Sequence, residues 1–567
     1  MKRVIAWFLF AVMLALSLSA CSVDMDDRGA IIPMALATPQ LNLDPTRMIY
    51  DKDFIKVAAL IHEGLTTVED GEVKLALATE WREKYDEDRG EYFLEIDLHN
   101  SRWNDGRALT AYQVIYAWKQ VLSPETASPA AALLFDIKNA KEVKAGFKTV
   151  DDLGVAALNT YTIEVQFEKP IEPELFLEAI SSVSLVPLRD DVIVNKETTW
   201  ATNVDDIATD GKFSIKSMNP DGEYRLEFSK YYKLTSEAED GYNVYVKPYK
   251  LISDYSLSPK DALAQFDAGN LYYIGNLEKD DYAARESEIQ TGDTLNNYTY
   301  FFNTKNAALS AAAVRKALSL ALDREQIASI IGRGVKAARG FVSDSATGSS
   351  MSKNYRKETG DVYSVNADLA AAKALLSSPS GSFAITYRSD RDYDKEVAEY
   401  AKGVWEGLGF TVTLKGLSLS EYETALYSGD FDVIALDYQG LTTNPYSFLA
   451  PFATRYSGSA VSVSDDSEGY TPHITGYESD AYDALMDEVL SFTKRSDRYA
   501  KLAEAEKMLA EDCPAIALVS YVNYYLASGE LKGVENSPYG YTLFTDATLK
   551  NYAEKNAAYE AAHSESK

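Results

Sequence analysis

Between residues 395 and 436 the apolar positions alternate between two periods. Residues 395–408 repeat at helical spacing until Gly409, and 410–414 then alternate as a strand; 420–427 are again helical until Gly429, and 431–436 form an unbroken apolar run. A period of 3.6 marks an amphipathic helix, a period of two a half-buried strand, and a short continuous run a strand covered on both faces. Helix, glycine, strand, twice in succession, predicts an α/β domain with some parallel pairing. Upstream, 30–37 and 93–98 read as strands and 155–170 as a hairpin-like pair around Asn159-Thr160. Thr110 is placed to cap a helix carrying Val114, Trp118, Val121 and Leu122, and Ser310 to cap one carrying Val314, Leu318 and Leu322. Asp323 with Gln326 resembles a capping box leading into Ile327 and Ile331. A helix pair is expected over 481–490 and 498–510, then a strand over 515–522, then a polar, uncapped tail over 554–567.

The first twenty residues follow another pattern. Lys2-Arg3 precede thirteen apolar residues, 4–16, and Leu18-Ser19-Ala20-Cys21 closes the segment. This is the charged, apolar and small-residue sequence of an export signal, and thirteen residues fall short of the ~20 that span a bilayer as a helix. The Leu-Ser-Ala-Cys ending resembles the bacterial lipobox, which implies cleavage before Cys21 and lipidation of its thiol. Residues 22–29 then form a short acidic tether.

A chain of 567 residues exceeds one core, since single domains rarely pass ~250 residues, so two or three domains are expected. The 86 Asp+Glu against 56 Lys+Arg give a net charge of −30, and loss of the two cations of the leader takes it to −32. That balance argues against nucleic acid, whose binding needs Lys and Arg to displace counterions. Two cysteines cannot build a disulfide framework, and four histidines (His62, His99, His473, His563) leave few ligands for zinc or copper. No metal or other cofactor is expected. Cys513, in an apolar stretch, reads as a buried thiol.

Catalytic templates fail. No G-x-S-x-G, GxxxxGK[ST], HExxH or strand-linked GxGxxG occurs in the sequence. Ser350-Met351-Ser352-Lys353 matches S-x-x-K, a pattern with only two fixed positions, inside a Ser/Gly/Lys-rich loop. Asp86 to Gly90 hints at a calcium loop, but the glycine comes one residue early and the closing glutamate is missing. No catalytic residue is assigned and no enzyme is expected. Aromatic content is high instead, with 39 Tyr, 21 Phe and 6 Trp, which suits a core, and also a protein that encloses a ligand.

Glu63-Gly64-Leu65, Leu77-Ala78-Thr79-Glu80-Trp81 and Trp103-Asn104-Asp105-Gly106 with Leu109-Thr110-Ala111 follow one another near the N-terminus. In these motifs the chain resembles the extracellular solute-binding proteins of family five, the dipeptide and oligopeptide binders of ABC importers. Collinear matches continue through Ala127-Ser128-Pro129, Tyr161-Thr162-Ile163-Glu164-Val165, Phe302-Asn303-Thr304, Val314-Arg315-Lys316-Ala317-Leu318 and Leu322-Asp323-Arg324 to Ala505-Glu506-Lys507-Met508-Leu509. The resemblance covers about residues 35–535. Read for themselves, Trp103, Asp105-Gly106 and Thr110 are a strand end, a turn and a helix cap, and Arg315, Asp323 and Arg324 are framework residues.

The resemblance implies an α/β, two-lobed periplasmic-binding-protein-like fold of type II, with an additional smaller domain, in which a hinge closes the lobes over a ligand. On that analogy the chain divides into a signal peptide (1–20), a lipid-anchored tether (21–29), a discontinuous lobe I (30–60, 187–298 and 516–553), domain II (61–186), lobe III (299–515) and the tail. The implied role is capture of oligopeptides at the extracytoplasmic face of the cell membrane and delivery to ABC permease and ATPase subunits. A sugar oligomer, an opine or a nickel complex is the alternative solute, and His473 is the one late histidine a nickel complex could use. A surface lipoprotein that senses nutrients or assists folding is a further alternative, and a secreted hydrolase a third. In the family an Asp-Tyr-x-x-Pro stretch supplies a carboxylate for the peptide's α-amino group. Here Asp437-Tyr438 either takes that place, or an ungapped reading from Phe431 to Pro445 sets Leu441 there and leaves Tyr438, Gln439, Thr442 and Thr443 for a neutral ligand. Asp437, Tyr438, Gln439, Thr442 and Thr443 are accordingly the ligand-site candidates.

Overall fold

The computed structural model describes residues 29–36, 42–47, 53–196, 199–218, 222–232, 247–377, 381–461, 470–537 and 539–563. The signal peptide, Cys21 and nearly all of the tether lie outside the described residues. The backbone runs through β1 (Ala30–Ala35), β2 (Thr66–Glu69), β3 (Glu72–Leu75), β4 (Ala78–Asp86), β5 (Glu91–Leu98), β6 (Val155–Asn159), β7 (Thr162–Phe167), β8 (Phe213–Met218), β9 (Glu223–Phe228), β10 (Pro248–Asp254), β11 (Tyr273–Ile274), β12 (Gln290–Phe302), β13 (Lys336–Ala337), β14 (Ser382–Arg388), β15 (Thr411–Leu417), β16 (Val433–Gln439) and β17 (Ala515–Ala527).

A large mixed sheet has the order β15-β14-β16-β12-β17-β11-β1-β10-β9-β8, with β13 also on β17. Its two halves are each partly parallel: β14 runs with β15 and β16, and β1 runs with β10 and β11. The long strand β17 joins them, pairing with β12 along most of its length and with β11 through Leu526 and Ala527. Its ladder with β12 shifts register between Asp293 and Asn297 and again between Tyr298 and Thr299, as expected where a sheet bends. A second, antiparallel sheet, β4-β5-β7-β6, alternates buried and half-buried residues along β5, and the β2–β3 hairpin is separate from it.

Three principal cores follow this division. One surrounds β1, β8, β9 and β10; another encloses β12, β14 and β16; the third runs from the inner face of the small sheet through Trp103 and Trp118 into Phe301, Phe341 and Tyr438.

The periodic segments form the expected elements. Helices Asp394–Glu406 and Leu419–Ser428 alternate with β15 and β16, and Gly429, with φ +71°, ends the second helix in the left-handed region that favours glycine. Helix Ala111–Leu122 follows Thr110, whose N–H donates to Gln113 Oε1 at 3.0 Å, and Asp323 accepts from the Gln326 N–H at 2.8 Å. Gly106 N–H closes the expected turn on Trp103 O at 2.8 Å. Arg315 and Arg324 spend their guanidinium groups largely on backbone carbonyls, including Cys513 O and Ala517 O, which is framework work. Cys513 is buried, and burial pushes its thiol up to about 12. Lys353 of the S-x-x-K match pairs with Glu358, while Ser350 Oγ contacts Ser352 Oγ.

Two details differ. Ser310 does not cap its helix, which begins at Ala312; its hydroxyl donates back to Ala307 O at 3.2 Å, a local bond that competes with capping. The polar segment after 553 is not frayed throughout: Tyr552–Ala562 is a helix, held by Asn556, whose Oδ1 accepts from Ile31 N and whose Nδ2 donates to Gly29 O, both at 2.8 Å.

Candidate functional site

Two cavities lie against the large sheet, the larger of them where β12 and β17 join its halves. The larger, of about 780 Å³, is lined by Thr294 and Asn296 of β12, Tyr521 and Asn523 of β17, and the loop from Arg388 to Tyr393. The smaller, of about 510 Å³, is walled by His62 to Gly64, the β2–β3 hairpin, Gln439 and Leu441, and Tyr539 and Tyr541. Gly540 separates them. Its φ of +89° favours glycine, and a Cβ there would lie 2.9 Å from Thr294 Cβ and 3.5 Å from Asn296 Nδ2. The turn is thus pressed onto β12, with Gly540 on the wall of the larger chamber and Tyr539 and Tyr541 on the wall of the smaller.

The chambers differ electrically. Around the smaller one stand Glu63, Glu69, Asp70, Glu535 and Asp546 against Lys74 and Lys212, an excess that attracts the positive end of a ligand. Glu63 Oε1 accepts from Tyr232 OH at 2.7 Å and lies 3.5 Å from Lys212 Nζ. Behind it, His62 Nδ1 lies 3.0 Å from Asp210 Oδ1; burial pushes the Asp210 carboxyl up, and His62 opposes that shift.

In the larger chamber cations and carboxylates are nearly balanced. Arg391 makes a bidentate pair with Asp437, Nη1 to Oδ1 at 3.0 Å and Nη2 to Oδ2 at 2.7 Å. Tyr521 OH adds a bond to Asp437 Oδ1 at 2.7 Å and lies 2.9 Å from Tyr393 OH. Burial, the largest single influence, would lower the Arg391 guanidinium, but Asp437 together with Tyr393, Asp394 and Tyr521 outweighs it and holds the group well above its ordinary value.

A cleft of this form, charged at its ends and lined by aromatic and amide side chains, suits an extended solute held between two bodies. The model of the bacterial extracellular solute-binding proteins, family 5 Middle, matches residues 72–460. This chain belongs to that family. The family 5 relatives include the periplasmic murein peptide-binding protein MppA of Escherichia coli K12, 27% identical over 509 residues that cover 87% of this chain and 88% of MppA. The oligopeptide-binding protein OppA of Bacillus subtilis 168 is 24% identical over 502 residues, covering 86% and 87%. The structure of Listeria monocytogenes OppA bound to peptide superposes with a TM-score of 0.75 at 20% identity, over 92% of this chain and 99% of that one. The fold is therefore the two-lobed type II arrangement of this family, mixed α/β around a large sheet. Among the described residues no helix is long and apolar enough to cross a membrane.

Against this family 5 cleft the five candidates fall in different places. Gln439 lines the smaller chamber beside Leu441, at the end of β16 opposite Asn296. Asp437 is buried below the larger chamber, its carboxylate occupied by Arg391 and Tyr521. Tyr438, Thr442 and Thr443 line neither chamber, because their polar atoms meet protein partners. Tyr438 packs on Phe301 and Phe341 and donates to Phe448 O at 2.9 Å; Thr442 Oγ1 accepts from Asn444 N at 3.2 Å; Thr443 Oγ1 donates to Glu178 Oε1 at 2.6 Å. His473 lies between Phe301 and Phe452, away from both chambers, and burial lowers it to about 3.

Several wall residues carried no sequence signal. Tyr539 and Tyr541 are two among 39 tyrosines, and Arg391 sits 46 residues before the carboxylate it pairs with. Glu63 could have been found, because it begins the Glu-Gly-Leu motif.

Proposed function

We propose that this family 5 protein captures oligopeptides in the two-chambered cleft and hands them to an ABC permease, as its lipid-anchored component held by Cys21 at the outer face of the cell membrane. The observation that carries this reading is the pair of neighbouring cavities, one with an excess of carboxylates and the other with cations and carboxylates nearly balanced. An extended chain advances ~3.3–3.6 Å per residue, so a short peptide lying across Gly540 reaches both chambers, its amino end suited to the acidic one. Relatives that bind peptides, MppA and OppA, support the solute class. In this reading Gln439 and Leu441 touch the ligand in the acidic chamber, while Asp437 acts through Arg391. Tyr438, Thr442 and Thr443 hold that wall in place. Segments 30–60, 187–298 and 516–553 form one lobe and 299–515 the other, with 61–186 the added domain. Binding performs no covalent chemistry; ligand stabilises one arrangement of the lobes, which the permease recognises.

A thermal-shift screen of peptides of two to six residues, sugar oligomers and Ni²⁺ tests the assignment. A ligand at 100 times its Kd adds about 2.7 kcal/mol, so at least one peptide class should raise Tm by several degrees and be recovered intact. Stabilisation only by sugars or Ni²⁺, or recovery of cleaved peptide, overturns it.

A further inference from the structure

One acidic side chain outside both chambers sits where the helix end that holds the hairpin meets the far wall of the smaller one. Glu178 lies near the end of helix Pro173–Ala179 and is fully buried. Its Oε1 accepts from Thr443 Oγ1 at 2.6 Å and lies 3.5 Å from Thr347 Oγ1; its Oε2 accepts from Asn444 Nδ2 at 3.0 Å and from Arg495 Nη1. Arg495 also donates Nη2 to Thr347 Oγ1 and Nε to Gly348 O at 3.0 Å. Both charges therefore have partners throughout, the condition under which a buried pair fixes a geometry.

The backbone around Glu178 holds the other walls. Leu177 O accepts from Thr66 Oγ1 of the hairpin at 2.6 Å, and Ser181 Oγ, which donates to Glu178 O, lies 2.7 Å from Tyr539 OH. Thr66, Ser181 and Tyr539 all line the smaller chamber, and Thr443 and Asn444 continue directly from Gln439 and Leu441 on its far side. Thus Leu177 to Ser181 grips the hairpin and the tyrosine wall through short local bonds. The far wall is gripped by the Glu178 carboxylate.

We propose that Glu178, paired with Arg495, is a positioning residue that sets the spacing between the walls of the smaller chamber and so governs how long a ligand stays. The ligand part of this proposal rests on the peptide-binding reading above; the spacing part does not. Losing the carboxylate frees the 439–444 wall from the hairpin without removing any group that lines the chamber. Release should then accelerate while capture, decided by the open chamber and its charge, barely changes.

Three variants of the full chain test this: E178A, the paired apolar replacement E178M/R495M, which removes both charges together and so leaves neither buried alone, and T443V, which keeps the ion pair and the Asn444 bond but cuts the shorter of the two bonds from Glu178 to the wall. Hydrogen exchange in ligand-free protein should be at least tenfold faster over 64–77 and 439–447 in E178M/R495M, and over 439–447 in T443V, with exchange in β4–β7 unchanged. Tetra-alanine should leave E178A about tenfold faster or more, with its association rate within about twofold of the parent. Unchanged exchange in both segments, in whichever of the two variants folds, overturns the proposal. If tetra-alanine binds none of the proteins, including the parent, that counts against the peptide reading, and the exchange data still decide the role of Glu178.

Discussion

Asp394 shows how a single residue carries a pH dependence that composition conceals. It is fully buried beside Arg391 and Asp437, and burial pushes its carboxyl up to about 7; Arg391 opposes the shift and Asp437 adds to it. A carboxyl whose folded value exceeds its unfolded value stabilises the fold where it is protonated. Its contribution is complete below about 4 and is lost as pH rises to about 7, with a slope of at most ~1.4 kcal/mol per pH unit. D394N removes this slope. Urea unfolding at pH 4.5 to 7.5 should show the parent losing stability relative to D394N as pH rises, and a constant difference between the two would contradict the assignment. Nothing in the sequence set Asp394 apart, since one carboxylate among 86 Asp+Glu is distinguished only by what surrounds it. The same holds for Asp437: its adjacency to Tyr438 was visible, but Arg391, which consumes its charge, arrives through folding.

Among the elements, those governed by local rules were legible. The helix–glycine–strand alternation after residue 394, the Asp323 cap and the hairpin of β6 and β7 depend on residues within a few positions of one another, so a linear pattern contains their cause. The C-terminal helix Tyr552–Ala562 obeys a different logic. Its residues are polar and its N-cap, Asn551, at φ +54°, makes no side-chain cap bond, so the segment reads as a tail. It is fixed instead by Asn556, which bonds to the backbone of Gly29 and Ile31, more than 500 residues away. N556A leaves a buried N–H and a buried carbonyl without partners and should cost about 1–3 kcal/mol, read as a lower urea midpoint with unchanged slope. No change in the midpoint would mean that the helix is held by other contacts.

At the scale of the whole molecule, the two ends of the chain have separate duties. The C-terminal helix locks β1 into the sheet, while the segment before β1 leads back to Cys21 and, in our reading, to the membrane. Two or three acyl chains, each worth about 0.8 kcal/mol per buried CH₂, suffice to hold at a bilayer a body whose net charge is −32 after loss of the leader's two cations. C21S should therefore move the protein from the detergent phase to the aqueous phase in phase partitioning, with ligand-induced thermal shifts unchanged; retention in the detergent phase would refute the anchor. The cleft also belongs to this scale, because its walls come from residues near 63, 180, 294, 390, 440, 521 and 540, which meet only when β12 and β17 bring the halves of the sheet together.

The sequence by itself determined the α/β class, the periodic helices and strands such as those between 394 and 439, and, through a series of collinear motifs, the family. These are written in residue types at short fixed spacings, where periodicity and capping act. Tertiary structure alone decided that Gly540 lies between the walls of the two chambers, that Asp437 is occupied by Arg391, and that Glu178 bonds to Arg495, Thr443 and Asn444. Each of these depends on distance and burial between residues far apart in the chain, and the strength of a charge or hydrogen bond is set by those two quantities rather than by the identity of the residue.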